Sequence, residues 1–120
     1  MQIITGTLSS KDDISEPLPW NASSTPAFAI TGTFTGARIV LESAESERRT
    51  TPLTEHPLTP VVYEPVESLR WEQVAHPGGG ALALTGPGSI AAPPTADRRV
   101  VRLRAAALGS GEVQFRGQFN

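Results

Sequence analysis

Residues 27–43 read Ala-Phe-Ala-Ile-Thr-Gly-Thr-Phe-Thr-Gly-Ala-Arg-Ile-Val-Leu-Glu-Ser, and no other stretch restricts the fold as tightly. Ala37, Ile39 and Leu41 alternate with Arg38, Val40 and Glu42 at a period of two, the spacing of a half-buried strand and not of a helix. The alternation places Ile39 and Leu41 on a buried face and Glu42 on an outward one. Residues 27–31 ahead of it form a short apolar run, so the stretch reads as two strands joined by a turn. Gly32 and Gly36 in that turn suit backbone with positive φ or close approach, and Phe34 between them is large enough to close over the end of a sandwich.

A second pair of period-two segments closes the chain. Residues 98–107 set Val101, Leu103 and Ala105 against Val100, Arg102 and Arg104, and residues 112–119 set Val113, Phe115 and Phe119 against Glu112, Gln114, Arg116 and Gln118. Leu108-Gly109-Ser110-Gly111 between them reads as a hairpin turn. Shorter strands are expected near residues 67–74, with Trp71 as a core side chain, and at residues 81–85, while residues 86–94 read as a loop full of breakers. Six to eight strands at this spacing of turns predict an all-β chain, an antiparallel β-sandwich of Ig-like or jelly-roll-like form. Its core should bring together Ile39, Leu41, Trp71, Val101, Leu103, Val113 and Phe115.

The composition agrees with one such domain. The chain has 120 residues, 38% hydrophobic and 18% charged, with eleven Gly and eleven Pro, too apolar for a disordered tail and too interrupted for a helical bundle. Net charge is −2, and the basic side chains are nine Arg and Lys11, which argues against a general polyanion-binding surface and so against nucleic acid as a partner. With no cysteine, disulfides, thiolate metal sites and cysteine nucleophiles are excluded. Met1 is followed by neither a basic region nor a long apolar run, so neither a signal peptide nor a membrane span is expected.

Two segments stand apart from the alternating strands. Residues 1–20 carry Ile3, Ile4 and Leu8, then Lys11-Asp12-Asp13, Pro17, Pro19 and Trp20, and read as an edge strand or extended arm followed by a surface loop pinned by the indole. The sandwich domain is then residues 21–120. Within it residues 44–65 hold Glu45, Glu47, Arg48, Arg49 and the prolines 52, 57, 60 and 65, with Val61, Val62 and Tyr63 as an apolar island. A segment of this length reads as an excursion docking on a neighbour, a mobile flap, or a solvated loop that adds a minor strand.

Residues arranged for catalysis were not found. His56 and His76 lie in loops with no second histidine at ligand spacing, so a metal site from Glu55, His56 and His76 would need a further ligand brought by the fold. Gly78-Gly79-Gly80 is not followed by Lys-Ser or Lys-Thr, and there is no Gly-x-Ser-x-Gly elbow. Asp12-Asp13 reads as a solvated turn. Neither enzyme activity, cofactor nor metal is expected. Arg98, Arg99, Arg102 and Arg104 are the densest positive feature; cross-strand pairing with Glu42 and Glu112 accounts for them more simply than an acidic partner does.

Gly32-Thr33-Phe34-x-Gly36-Ala37-x-Ile39-x-Leu41, Trp71-x-x-Val74, Arg98 to Ala105 and Gly109-Ser110-Gly111-Glu112-Val113 together resemble a pattern of small β-sandwich virion proteins of tailed bacteriophages. The resemblance covers most of residues 27–119 and departs in the Pro-rich segment between Leu41 and Trp71. It implies a structural role without chemistry: a decoration or cement protein on the capsid exterior, made in the host cytoplasm, with the major capsid protein and further copies of itself, as dimer or trimer, for partners. A head-to-tail or tail component and a carbohydrate-binding module are the alternatives, although seven aromatic residues in all leave few for a sugar platform. The residues expected to meet a partner are Ile3, Ile4, Leu8 and Trp20 of the arm, Val61 and Tyr63 of the excursion, and Arg102 and Arg104 of the charged face. The arm is further expected to be removable, residues 1–10 being dispensable for folding and needed for attachment.

Overall fold

The period-two segments become strands, but the glycine-bearing turns between them carry the chain from one sheet to the other. The computed structural model describes residues 2–50, 62–75, 82–95 and 97–119, all strand, turn and extended chain. One sheet contains β1 (Gln2–Leu8), β3 (Ala27–Thr31), β10 (Gly88–Ala91) and β13 (Val113–Phe119), ordered β1-β13-β3-β10. The other contains β2 (Leu18–Trp20), β5 (Arg38–Glu45), β8 (Glu72–Gln73), β9 (Ala83–Leu84) and β11 (Arg99–Ala107), ordered β2-β11-β5 with β8 and β9 both beyond β5. Two short pairs complete it, β4 (Phe34–Thr35) with β12 (Ser110–Gly111) and β6 (Glu47–Arg49) with β7 (Tyr63–Pro65). Every pairing is antiparallel. Glu55, His56, Val61, His76 and the glycines 78, 79 and 80 lie outside the described residues.

The sheets pack face to face through one apolar layer. Leu8, Phe28, Ile30, Ile90, Val113 and Phe115 from the first sheet meet Leu18, Trp20, Ile39, Leu41, Val101, Leu103 and Ala105 from the second. Phe28 and Phe115 pack edge to face, with ring centroids 6.4 Å apart. Each fully buried Leu, Ile, Val or Phe contributes about 1.5–3 kcal/mol over its exposed state. Of the seven expected core residues Trp71 is the exception: it is half-buried and outside the cluster, because its ring covers Arg102 on the outer face of the second sheet. Val40 and Ala44 are as buried as Ile39 and Leu41. Strand β5 is therefore covered on both faces, where the alternation predicts one. It lies in the middle of its sheet, and arginines from β11 fold over its outer side.

The expected hairpins are arches. Strand β3 belongs to one sheet and β5 to the other, and so do β13 and β11; the connections cross the end of the sandwich and pair with each other through β4 and β12. Gly109 N donates to Thr35 O at 3.0 Å, Glu112 N donates to Thr33 O at 3.2 Å, and the hydroxyls of Thr35 and Ser110 are hydrogen-bonded. Phe34, half-buried, packs against the core at this end. Close contact of two backbones sets the turn residues: Gly32 and Gly111 have φ of 112° and 87°, and a Cβ on Gly111 would stand 2.1 Å from Thr33 O. Because β13 lies in the other sheet, Glu112 is not a neighbour of the β11 arginines, which pair instead with β5.

Residues 86–94 depart from expectation, whereas residues 2–8 take the edge-strand form of the two expected and short strands form within residues 67–74 and 81–85. Residues 88–91 form an edge strand, where a loop is predicted. Strands β8 and β9 run in line along β5: Val74 N donates to Leu41 O, Leu41 N to Leu82 O and Leu82 N to Val74 O, so they make one edge strand interrupted between Val74 and Leu82. The N-terminal segment is part of the sandwich. Strand β1 pairs with β13 from Gln2↔Phe119 to Leu8↔Val113, Leu8 is fully buried, and residues 12–15 hydrogen-bond along β11. Removing residues 1–10 would strip a sheet edge and a core leucine, so the expectation of a dispensable arm does not hold.

Candidate partner-binding surface

At the end of the sandwich opposite the arches, β5 runs on through Ser46 into β6, past the last β11 partner of the ladder, Arg99↔Glu45. Strands β6 and β7 form a two-stranded ribbon whose ladder extends to Thr50 N donating to Val62 O at 2.9 Å. The 44–65 excursion is thus zipped at its base. Arg98 ties the ribbon down: its carbonyl accepts from Ser46 N at 3.0 Å, its Nη1 bonds Glu47 Oε2 at 3.0 Å, and its guanidinium stacks 4.1 Å from the Tyr63 ring centroid. Tyr63 remains exposed at 37%.

From the ribbon the outer face of the second sheet continues as a lattice of opposite charges. Glu42, only 6% exposed, gives one carboxylate oxygen to Arg102 Nε at 3.1 Å and the other to Arg104 Nη1 at 3.3 Å. Arg104 reaches on to Asp12 Oδ1 at 3.1 Å; that bond, opposed by desolvation and aided by the Glu42 charge, raises the Arg104 pKa above its ordinary value. Arg102 lies 4.0 Å from the Trp71 ring centroid. Arg99 has the inward parity of Val101 and lies at the rim of the inner face, beside Trp20, where it bonds Glu72 at 2.7 Å and Ser43 Oγ at 3.0 Å. Two shallow clefts of about 470 and 390 Å³ flank Glu45, Arg48 and Arg99, the first bounded by Tyr63 and the second by Trp71. The first cleft carries three acids and three bases and the second two acids and three bases, but over both clefts and the Glu42 lattice together acids and bases number six each, so the surface does not concentrate anions. What it offers is two aromatic rings held on arginines, the residue types that carry binding energy at protein interfaces.

Of the residues expected to meet a partner, the structure brings together Tyr63, Arg102 and Arg104, on one side of the molecule. Ile3 is exposed at 45% and Ile4 is half-buried against the core, both on β1 in the other sheet. Leu8 and Trp20 are core residues, and the Trp20 Nε1 donates to Pro93 O at 2.7 Å. Neither is open to a partner: the inward parity of β1 buries Leu8, and Pro19 and Trp20 sit in a strand rather than a loop. Val61 lies outside the described residues. Trp71 and Arg98 complete the surface and were not singled out for it. Their signal is an aromatic immediately before a short strand and an arginine at the head of an arginine-rich one, which reads equally well as core.

Among the described residues no three His, Cys, Asp or Glu side chains converge as a metal-ligand set, and no helix is long and apolar enough to cross a membrane. No family model matches the chain, and neither a curated protein nor a solved structure matches it.

Proposed function

We propose that this chain is a non-enzymatic structural subunit of a tailed-phage virion, of the decoration or cement kind, binding the major capsid protein on the outside of the head. The observation that carries the reading is the β6–β7 ribbon, which leaves the sandwich at one end and presents Tyr63 on an arginine already fixed by Glu47. A pre-ordered aromatic on a projecting ribbon loses little entropy on docking, and a ribbon can lie along a neighbouring subunit. The resemblance of residues 27–119 to small virion sandwiches supports the place and the partner. The charge-balanced face beside the ribbon suits a protein surface better than nucleic acid.

The test is to add purified protein to parent-phage heads that lack it and to measure occupancy by co-sedimentation and negative-stain microscopy. Saturable decoration of the head surface is expected, with Tyr63→Ala weakening it about tenfold or more, the effect of losing an interface anchor. Full occupancy by Tyr63→Ala would move the contact off the ribbon. Failure of the intact protein to bind heads, or binding confined to the portal or tail, would overturn the capsid assignment.

A further inference from the structure

A β-sandwich must protect its sheet edges, because a free edge presents unpaired N–H and C=O groups to any other chain. Three of the four edges here are protected. Strand β2 is three residues long with Pro19 at its centre; β10 has four residues, between Pro87 and Pro93-Pro94; the β8/β9 edge is interrupted between Val74 and Leu82. The β6–β7 ribbon is short, charged and ends in Pro65. Strand β1 differs on every count. It has seven residues, Gln-Ile-Ile-Thr-Gly-Thr-Leu, with no proline, no charge and no break in register, and among the described residues β13 is its only strand partner.

We infer that the β1 edge is a self-association site, pairing antiparallel with β1 of a second copy to join the two four-stranded sheets into one. The sequence of the strand favours its own copy. In a two-fold register centred on Thr5, Ile3 faces Thr7 of the other copy, Ile4 faces Gly6, and Gln2 faces Leu8. The exposed side chains Ile3, Thr5 and Thr7 then share the outer face, and the inward positions Ile4, Gly6 and Leu8 share the inner one. Such β-branched cross-strand pairs are favourable, and exposed Ile3 gains a neighbour. Charge does not oppose the pairing. The nearest charged side chain on this face is Arg116, in register with Thr5 one strand inward. Its symmetry mate would lie three strand spacings away, roughly 14 Å, beyond the screening length at physiological salt. The site is independent of the ribbon and of the capsid reading.

The experiment is the mass of the purified full-length chain, by light scattering and sedimentation over a range of concentration, for three proteins. The intact chain is expected to approach twice 12.7 kDa as concentration rises. Ile3→Lys with Thr7→Lys puts like charges opposite one another across the two-fold and should give the single-chain mass, with circular dichroism unchanged, and melting unchanged at concentrations where the intact chain is itself monomeric, because both side chains are exposed. Ile3→Lys with Thr7→Glu puts opposite charges at the same two places and should restore the double mass. An intact chain that stays monomeric throughout overturns the proposal, including the case in which β1 serves a different protein. A double-lysine variant that remains dimeric overturns it as well, by placing the contact elsewhere.

Discussion

At the end where the two arches meet, single atoms decide what residue is allowed. Gly111 has φ of 87°, and the Cβ of any other residue would lie 2.1 Å from Thr33 O and 2.7 Å from Phe34 Cα, both backbone atoms that cannot move without opening the β4–β12 pair. Gly111→Ala should cost at least roughly 1–3 kcal/mol from the backbone conformation, with the collision added. Gly86 has nothing within 4 Å of its Cβ position and no positive φ. Gly86→Ala should therefore stay within about 0.5 kcal/mol of the parent, and denaturant midpoints of the two variants measure the contrast. Asp13 supplies a pH-dependent term of the same local kind. Its Oδ2 accepts from Ser9 N at 2.8 Å, from Ser10 N at 3.0 Å and from Ser9 Oγ at 3.2 Å, and these bonds, the Ser9 amide first, hold the carboxyl below its ordinary 3.8. The folded pKa is lower than the unfolded one, so the stabilisation is present above the unfolded value and lost as pH falls through the folded value. Asp13→Ala should lower the melting temperature at pH 7, and the gap should close as the pH is taken below 4.

At the scale of elements, the alternation in β5, β11 and β13 was legible and the destination of each strand was not. A period of two tells which side chains share a face; it does not say which sheet the strand joins. Gly109-Ser110-Gly111 has the composition of a hairpin turn, yet it is a crossing, because the arch before β5 provides a backbone partner for it. The short edge strand β10 was hidden among breakers, since four residues flanked by prolines read as loop and only pairing with β3 orders them. Trp71 was misplaced for a related reason: a large aromatic near a strand is core by default, and only the register Arg102↔Glu42 shows that an arginine, paired with buried Glu42, offers it a different seat. These two positions separate the inner and outer faces experimentally. Leu103→Ala empties a fully buried site and should cost roughly 2–5 kcal/mol, whereas Trp71→Ala removes a stack worth roughly 0.5–2 kcal/mol. Equal shifts in denaturant midpoint would mean that the outer lattice is as structural as the core.

Across the whole molecule stability is distributed unevenly, and the ribbon lies at its low end. The sandwich is held by one continuous apolar layer, while β6 and β7 touch it through Arg98, through the exposed Arg48–Glu45 pair and through the chain itself. A two-stranded ribbon alone is marginal in water, and the contacts that anchor this one are surface contacts. The Arg98–Glu47 pair is half exposed, so it contributes at most about 1 kcal/mol, and the stack of Arg98 on Tyr63 contributes a similar amount. The ribbon amides should accordingly exchange by local opening, and those of Ile39, Leu41 and Leu103 only through global unfolding. Hydrogen exchange of the native protein should show weak protection at residues 47–49, 63 and 64 against strong protection at the three core positions. Arg98→Ala removes both side-chain contacts and should then raise exchange in the ribbon by up to about thirtyfold and leave the global denaturant midpoint within about 0.5 kcal/mol. If the substitution lowered protection in ribbon and core together, the two would form one cooperative unit and Arg98 would be part of the sandwich's own stability. If only the ribbon responds, the element proposed to meet the capsid can open without disturbing the domain, and its docking strength becomes tunable through a residue that need not touch the partner.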